Sequence, residues 1–302
     1  MNLLFCSDIH LSDTQPPCRK EDDWIASQQN MLDELLSVAE HNDAILVVCG
    51  DFFDRPKVSP RLLNMVMGEL AFAKVPVVIL PGQHDIYGHN IATIRETSLY
   101  SLDFLDNVTI IENPVCWEMD KADFDLHFFP FGTESPLLQK VNPNRHTIAC
   151  LHTYAWDQKP VFIESETGFS RNIMKAYREA GYSNLFIGDN HLPFEDEIKG
   201  CVLVNCGALQ RTKSDQEKHI PKVYLMDSGT YKAETIPFRF RDYFEPVESK
   251  VAETAFDMKD QLSSLFNNKE CQKISFGSMM ELCFEDQKIP VEVAEYVRRM
   301  IN

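Results

Sequence analysis

Five short polar clusters in this chain carry side chains that can bind a metal ion or move a proton. They are Asp8-Ile9-His10, Gly50-Asp51-Phe52-Phe53-Asp54-Arg55, Gly82-Gln83-His84-Asp85, the lone His152, and Gly188-Asp189-Asn190-His191. Carboxylates and imidazoles without a thiolate suit Mn²⁺, Mg²⁺, Fe or Zn²⁺, and one carboxylate can bridge two ions. Taken singly, each cluster has a blander explanation. Asp-x-His arises often by chance, Gly-Asp after a strand is most often a turn, and a lone histidine at a strand end is more often hydrogen-bonded structure. Their shared position is what singles them out, because each closes an apolar run. Ligands of α/β sheets collect outside the carboxyl ends of strands, so five such ends point to one centre.

The elements that must position these groups are legible in the apolar patterning. "NLLFCSDIH", "AILVVCGDFFD" and "VPVVILPGQHD" read as strands, separated by helix-like stretches at 24–41 and 60–74. Strand alternating with helix predicts a largely parallel first sheet. The later runs, "VTIIEN", "FDLHFFPFG", "HTIACLHTY", "NLFIGDNH", "CVLVNCGAL" and "KVYLMD", are shorter and predict a second sheet packed on the first. One further helix is expected within "FIESETGFSRNIMKAYREAGYS". The expected fold is α/β: a two-sheet β-sandwich flanked by helices over 1–239, with a small C-terminal α/β cap over 240–302. Alternation along an extended chain would let Asp8 and His10 face one centre, and likewise Asp189 and His191. Glycine ahead of Asp51, Gln83 and Asp189 permits tight turns.

Composition narrows the class. Hydrophobic residues make up 44% of the 302 and charged ones 25%, enough for a sizeable core. No apolar run approaches the ~20 residues a bilayer span needs, and "MNLLFCSDIHLSD" lacks the basic start of a signal peptide. The nine cysteines form no C-x-x-C pair, and reduced thiols in the cytoplasm are expected. A net charge of −17 argues against tight sequence-independent binding of nucleic acid by the bare surface. It does not exclude a phosphate substrate, because bound dications reverse the local field.

In this order the clusters resemble the motif series of calcineurin-like metallophosphoesterases: D-x-H, GD-x-x-D, G-N-H-D, a lone His and G-H-x-H. The resemblance covers roughly residues 1–235. Within that superfamily "DIHLSD", "GDFFDRPKVSP" and "NCGALQRTK" most resemble the SbcD-type double-strand-break-repair nucleases, and "MELCFEDQKIPVEVAEYVRRM" is similar in pattern to that branch's capping domain. The resemblance implies two divalent metal ions. Asp8, His10 and His191 would hold the first, Asp51 would bridge, and Gln83, His152 and Asp189 would complete the second. His84 would act as general acid or transition-state stabiliser, oriented by Asp85, and Arg55 could contact a substrate phosphate or form a surface pair with Asp54.

Two positions depart from the family pattern, and both fall on the second ion. Gln83 stands for Asn, and Asp189 stands for the first His of H-x-H. Gln keeps an amide oxygen but adds a methylene, while Asp189 exchanges a neutral imidazole for an anionic oxygen. An oxygen-rich shell favours Mn²⁺ or Mg²⁺ over Zn²⁺. Either the site works with altered metal preference, Mn²⁺ being expected, or the second ion is weakly held. The resemblance further implies a DNA exonuclease or endonuclease subunit acting on DNA ends. An SbcC-type ATPase would be supplied in trans, since the chain has no Walker-type phosphate loop. A homodimer through helix 60–74 is a further expectation. Competing readings are a phosphoesterase for small nucleotides or phosphoproteins, and a weakly active scaffold for an ATPase.

Overall fold

The computed structural model describes residues 2–119, 123–133, 141–158, 168–213, 216–238 and 242–246. The first three apolar runs become β1 (Asn2–Cys6), β2 (Ala44–Cys49) and β3 (Val77–Leu80), paired in parallel and almost wholly buried. That is what strands covered on both faces require of their sequence. Between them run α1 (Trp24–His41) and α2 (Pro60–Phe72). The Asp23 carboxylate caps α1 by accepting the N–H groups of Ile25 and Ala26. Ser59 caps α2, with Pro60 in its first turn. This second helix stops at Phe72, short of the expected residue 74, because Ala73 is extended.

The remaining elements are β4 (Val108–Ile110), β5 (Val115–Glu118), β6 (Phe124–Phe129), β7 (His146–His152), α3 (Ser170–Glu179), β8 (Asn184–Gly188), β9 (Phe194–Ile198), β10 (Cys201–Asn205), β11 (Lys222–Asp227) and β12 (Ala233–Pro237). Two six-stranded mixed sheets result, ordered β12-β11-β1-β2-β3-β4 and β5-β6-β7-β8-β10-β9. The two-sheet α/β architecture is as expected, but two strands change sheet. "VTIIEN" and "KVYLMD" belong to the first sheet: β4 continues its parallel run beside β3, and β11 returns antiparallel to the open edge of β1. Short length and alternation could not reveal that partnership, which is a matter of which edge remains free.

Alternation within strands sorts side chains between layers. Leu4 and Cys6 of β1 face α1 and α2, packing with Met31, Leu35, Leu62 and Val66. Leu3 and Phe5 face the second sheet and its Phe124, Ile148 and Phe186, and the rings of Phe5 and Phe186 stack with centroids 3.6 Å apart. On the far side of that sheet, Ala149, Leu151 and Leu185 pack against Met174 and Tyr177 of α3. The two sheets are thereby held face to face. Apart from 242–246, the cap expected over 240–302 lies outside the described residues.

Candidate metal centre

The residues that follow β1, β2 and β8 leave the strands by a sharp change of backbone conformation. Asp8 (φ 51°), His10 (φ 50°), Asp51 (φ 51°) and Asp189 (φ 94°) are all left-handed. Such conformations cost a non-glycine residue on the order of 1 kcal/mol or more each, and persist where surrounding structure imposes them. Here the backbone N–H groups of Asp8, His10 and Leu11 donate to the carbonyls of Gly50, Asp51 and Phe52. The expected extended alternation of Asp8 and His10 is therefore corrected: a hydrogen-bonded left-handed turn, not a pleat, brings them together. Glycine is required by close approach. A Cβ on Gly50 would lie 2.0 Å from His152 Nδ1, and one on Gly82 would lie 2.1 Å from Asp51 Oδ1.

All seven expected ligands lie at these strand ends, linked by a chain of contacts. Asp8, His10 and His191 present ligand atoms within 4.8 Å of one another, as do Asp8, Asp51 and His152, and also His10, Asp51 and His84. Asp51 Oδ2 is 3.4 Å from His152 Nε2 and 3.7 Å from His10 Nε2. His10 Nε2 faces His191 Nε2 at 3.1 Å. Two imidazole lone pairs meet so closely only when a proton or another cation serves both. Gln83 and Asp189 touch as well, the amide Nε2 donating to Asp189 Oδ1 at 2.6 Å.

The donor set fits metal ions on a specific observation. Asp51 Oδ2, His152 Nε2 and Gln83 Oε1 are buried with no hydrogen-bond partner among the described residues, a costly condition unless a cation satisfies them. His152 donates its other ring N–H, at Nδ1, to the Cys49 carbonyl at 2.7 Å, which frees Nε2 as a lone-pair ligand. Asp8 is held by Ser7 Oγ at 2.6 Å and by the N–H of Asp189 at 3.1 Å. Neither Ser7 nor that amide was visible as a supporting group in the sequence.

Electrostatics give the same answer. Burial alone would lower the pKa of His152, but the Asp51 carboxylate, with Asp8 and Asp189, outweighs it and holds the imidazole up at about 10. His10 is also raised: burial opposes the shift, while Asp54, Asp51 and Asp8 drive it. Asp51 is pulled below the usual carboxylate range, because His152, His10 and His84 overcome its burial. Burial, by contrast, lowers His191 to about 4. Without metal the cluster thus keeps protons on His152 and His10, and a ligating imidazole must be neutral. Mn²⁺ uptake at pH 7 is accordingly expected to release at least one proton per chain, His152 being the main source. Calorimetry in buffers of different ionisation enthalpy measures this directly, and a buffer-independent heat would exclude His152 as a displaced acid.

His84 lies beside the ligands, 44% exposed, with its backbone N–H donating to Asp51 Oδ1 at 2.9 Å. The expectation that Asp85 orients it is corrected. Asp85 is fully buried and accepts the N–H groups of Gly82, Phe52 and Phe53, at 2.8 to 3.1 Å. Burial and the nearby Asp51 raise its pKa to about 7, against those three donors. Its part is to lock the loop after β2 to the loop after β3. The group that flanks the His84 ring is Asp54: His84 Nδ1 is 3.1 Å from its carbonyl oxygen and 4.0 Å from Oδ1, and Oδ1 is also 3.6 Å from His10 Nδ1. The spacing GD-x-x-D was the available signal for Asp54. Arg55 is 76% exposed, with Asp54 Oδ2 at 3.9 Å.

Comparison with known proteins agrees with this construction. Among solved structures, one crystal structure matches with a TM-score of 0.51 and 13% identity, over 79% of this chain and 99% of that one. A dimetal phosphatase from Danio rerio matches with TM-score 0.48 and 12% identity, over 79% of this chain and 99% of its own. An archaeal phosphodiesterase matches with TM-score 0.42 and 14% identity, over 78% and 99%. The first of these likenesses concerns the fold alone. No curated protein sequence matches significantly. The family model of the calcineurin-like phosphoesterases matches residues 1–159, more than half the chain, and takes in the first three strand ends and His152. With that match joined to strand ends carrying buried, unpartnered ligand atoms, the chain belongs to the calcineurin-like phosphoesterase family, metal-dependent hydrolases of phosphoesters.

Proposed function

We propose that this chain is a two-metal phosphodiesterase of the SbcD type, acting on DNA ends with an ATPase supplied in trans. The observation that carries the phosphodiesterase reading is Asp51, buried at 0% exposure with ligand groups from both sheets around one free oxygen. Asp8, His10 and His191 would hold one ion, Gln83, His152 and Asp189 the other, and Asp51 both. When bound, such ions lower the pKa of water and neutralise charge on the phosphoryl oxygens. The oxygen-rich second set favours Mn²⁺.

The protein's own contribution to the reaction centres on His84. Its Nδ1–H donates to the Asp54 carbonyl, so the exposed Nε2 is the atom left to give a proton to the departing oxygen. The Asp54 carboxylate supplies an imidazolium with a counter-ion at 4.0 Å. Asp54 itself stays ionised: burial opposes this, but His10 and His84 lower its pKa. Asp54→Ala is therefore expected to lower kcat about tenfold or more. It should also weaken the first ion about 10- to 100-fold through His10. Steady-state kinetics at saturating Mn²⁺ beside a metal titration check both, and unchanged values would remove Asp54 from the positioning set.

Support for the nuclease branch comes from how its three sequence segments meet. Asp13 of "DIHLSD" accepts from the Ser59 N–H and hydroxyl in "GDFFDRPKVSP". Gln210 of "NCGALQRTK" donates to the Ile9 carbonyl at 2.6 Å. A cleft lined by Ser12, Thr14, Arg55 and Lys57, together with the carboxylates of Asp13 and Asp54, offers hydroxyls and two cations to a flanking phosphate, the cations offset by those two acids. A second subunit could use the α2 end, where Phe72 is 86% exposed. The net charge of −17 favours a second reading, a phosphoesterase for small nucleotides. Mn²⁺-dependent cleavage of linear single- and double-stranded DNA, assayed beside an aryl phosphodiester, separates them. Turnover of the aryl ester alone would transfer the proposal to the second reading.

A further inference from the structure

We infer that Gln83 and Asp189 form one coupled unit that sets the metal preference of the second ion, so that either substitution works only in the presence of the other. The inference rests on the two-metal reading above and deepens it. The two residues end strands of different sheets, β3 and β8, yet Gln83 Nε2 donates to Asp189 Oδ1 at 2.6 Å. A hydrogen bond onto a carboxylate is short and strong. It fixes the plane of the Gln83 amide, whose Oε1 is buried with no hydrogen-bond partner among the described residues. One contact thus settles two ligands: it anchors the Asp189 carboxylate and leaves the amide oxygen as a hard donor.

Each single reversal breaks the unit in a different way. Asparagine at 83 is shorter by one methylene, about 1.5 Å of reach, which opens the 2.6 Å contact beyond hydrogen-bond range. Asp189 would then stand near Asp8, whose carboxylate already takes its backbone N–H, without the donor that now offsets their repulsion. Histidine at 189 removes the carboxylate acceptor and confronts the Gln83 amide with an imidazole. Only the joint change, to Asn and His, recreates a self-consistent set, one with more nitrogen and less negative charge. That set favours Zn²⁺ where the present pair favours Mn²⁺.

The test is a double-mutant cycle over Gln83→Asn, Asp189→His and the double variant, read in two ways. Calorimetric titration with Mn²⁺ and with Zn²⁺ gives the second-ion affinities, and thermal melting in chelator gives the metal-free coupling. Each single change should weaken the second Mn²⁺ about 10- to 100-fold. The double variant should lose at least about tenfold less than the product of the two, and its Mn²⁺/Zn²⁺ preference should reverse. The melting cycle should be non-additive in the same direction, because the hydrogen bond exists without metal. Additive effects in both measurements overturn the inference. A wild-type chain that takes up a single ion sinks the two-metal reading instead, while the melting cycle in chelator still decides whether the pair is coupled.

Discussion

Asp51→Asn is expected to abolish both metal loading and hydrolysis, with kcat/KM falling at least about 10³-fold, equivalent to roughly 4 kcal/mol of transition-state stabilisation. The substitution is nearly isosteric, so the loss would come from charge and not from shape. Asp51 is fully buried, with His152 Nε2 and His10 Nε2 both within 3.7 Å of its unpartnered Oδ2. An amide NH₂ in place of that oxygen aims protons where ligand lone pairs converge. Because Asp51 is also the main cause of the raised His152 pKa, the variant should lose most of the proton release on metal addition. Elemental analysis of the purified variant is the decisive measurement. Two ions per chain at normal affinity would contradict the bridging role.

His84→Ala should separate chemistry from metal binding. A positioned general acid contributes typically about 10²- to 10⁴-fold, and turnover should fall within that range. The ring packs edge-on against His10, with centroids 4.8 Å apart, but Asp51 is held by the backbone N–H of residue 84, which alanine keeps, and the ring is 44% exposed. Metal stoichiometry and melting temperature should therefore stay near the wild-type values. An aryl ester with a good leaving group needs little protonation and should show the smaller loss. Equal losses for good and poor leaving groups would assign His84 to charge stabilisation. Loss of metal would make it a ligand, an outcome the group of His10, Asp51 and His84 makes worth measuring.

Much of this was open to inspection in the chain itself. Parallel strands buried on both faces need long apolar stretches, and the three segments ending at Cys6, Cys49 and Leu80 supply them. One polar group just past such a stretch can be a turn or a hydrogen-bonded end, but the recurrence of such groups after several stretches let Asp8, Asp51, His152 and His191 be picked out together. Sheet membership could not. β4 and β11 are short and patterned like the second-sheet strands, and the edge they occupy depends on where the chain passes between strands, which no local pattern encodes. The partner of His84 was similarly hidden. Asp85 is its neighbour in sequence, but adjacent side chains diverge, and the backbone amides of Gly82, Phe52 and Phe53 claim that carboxylate first.

Residue types and their order, then, determined the chemistry: which atoms can hold a dication and that they follow strands, while the family resemblance marked Gln83 and Asp189 as the unusual members. Tertiary structure decided the geometry by which those atoms meet. Left-handed turns replaced the pleat at Asp8 and His10, Asp54 replaced Asp85 beside His84, and two departures 106 residues apart became a single hydrogen-bonded pair. The reason is one of range. Side-chain chemistry and strand periodicity are properties of a few consecutive residues, whereas a turn's handedness and a contact between two sheets are fixed only when distant backbone groups must find their hydrogen-bond partners together.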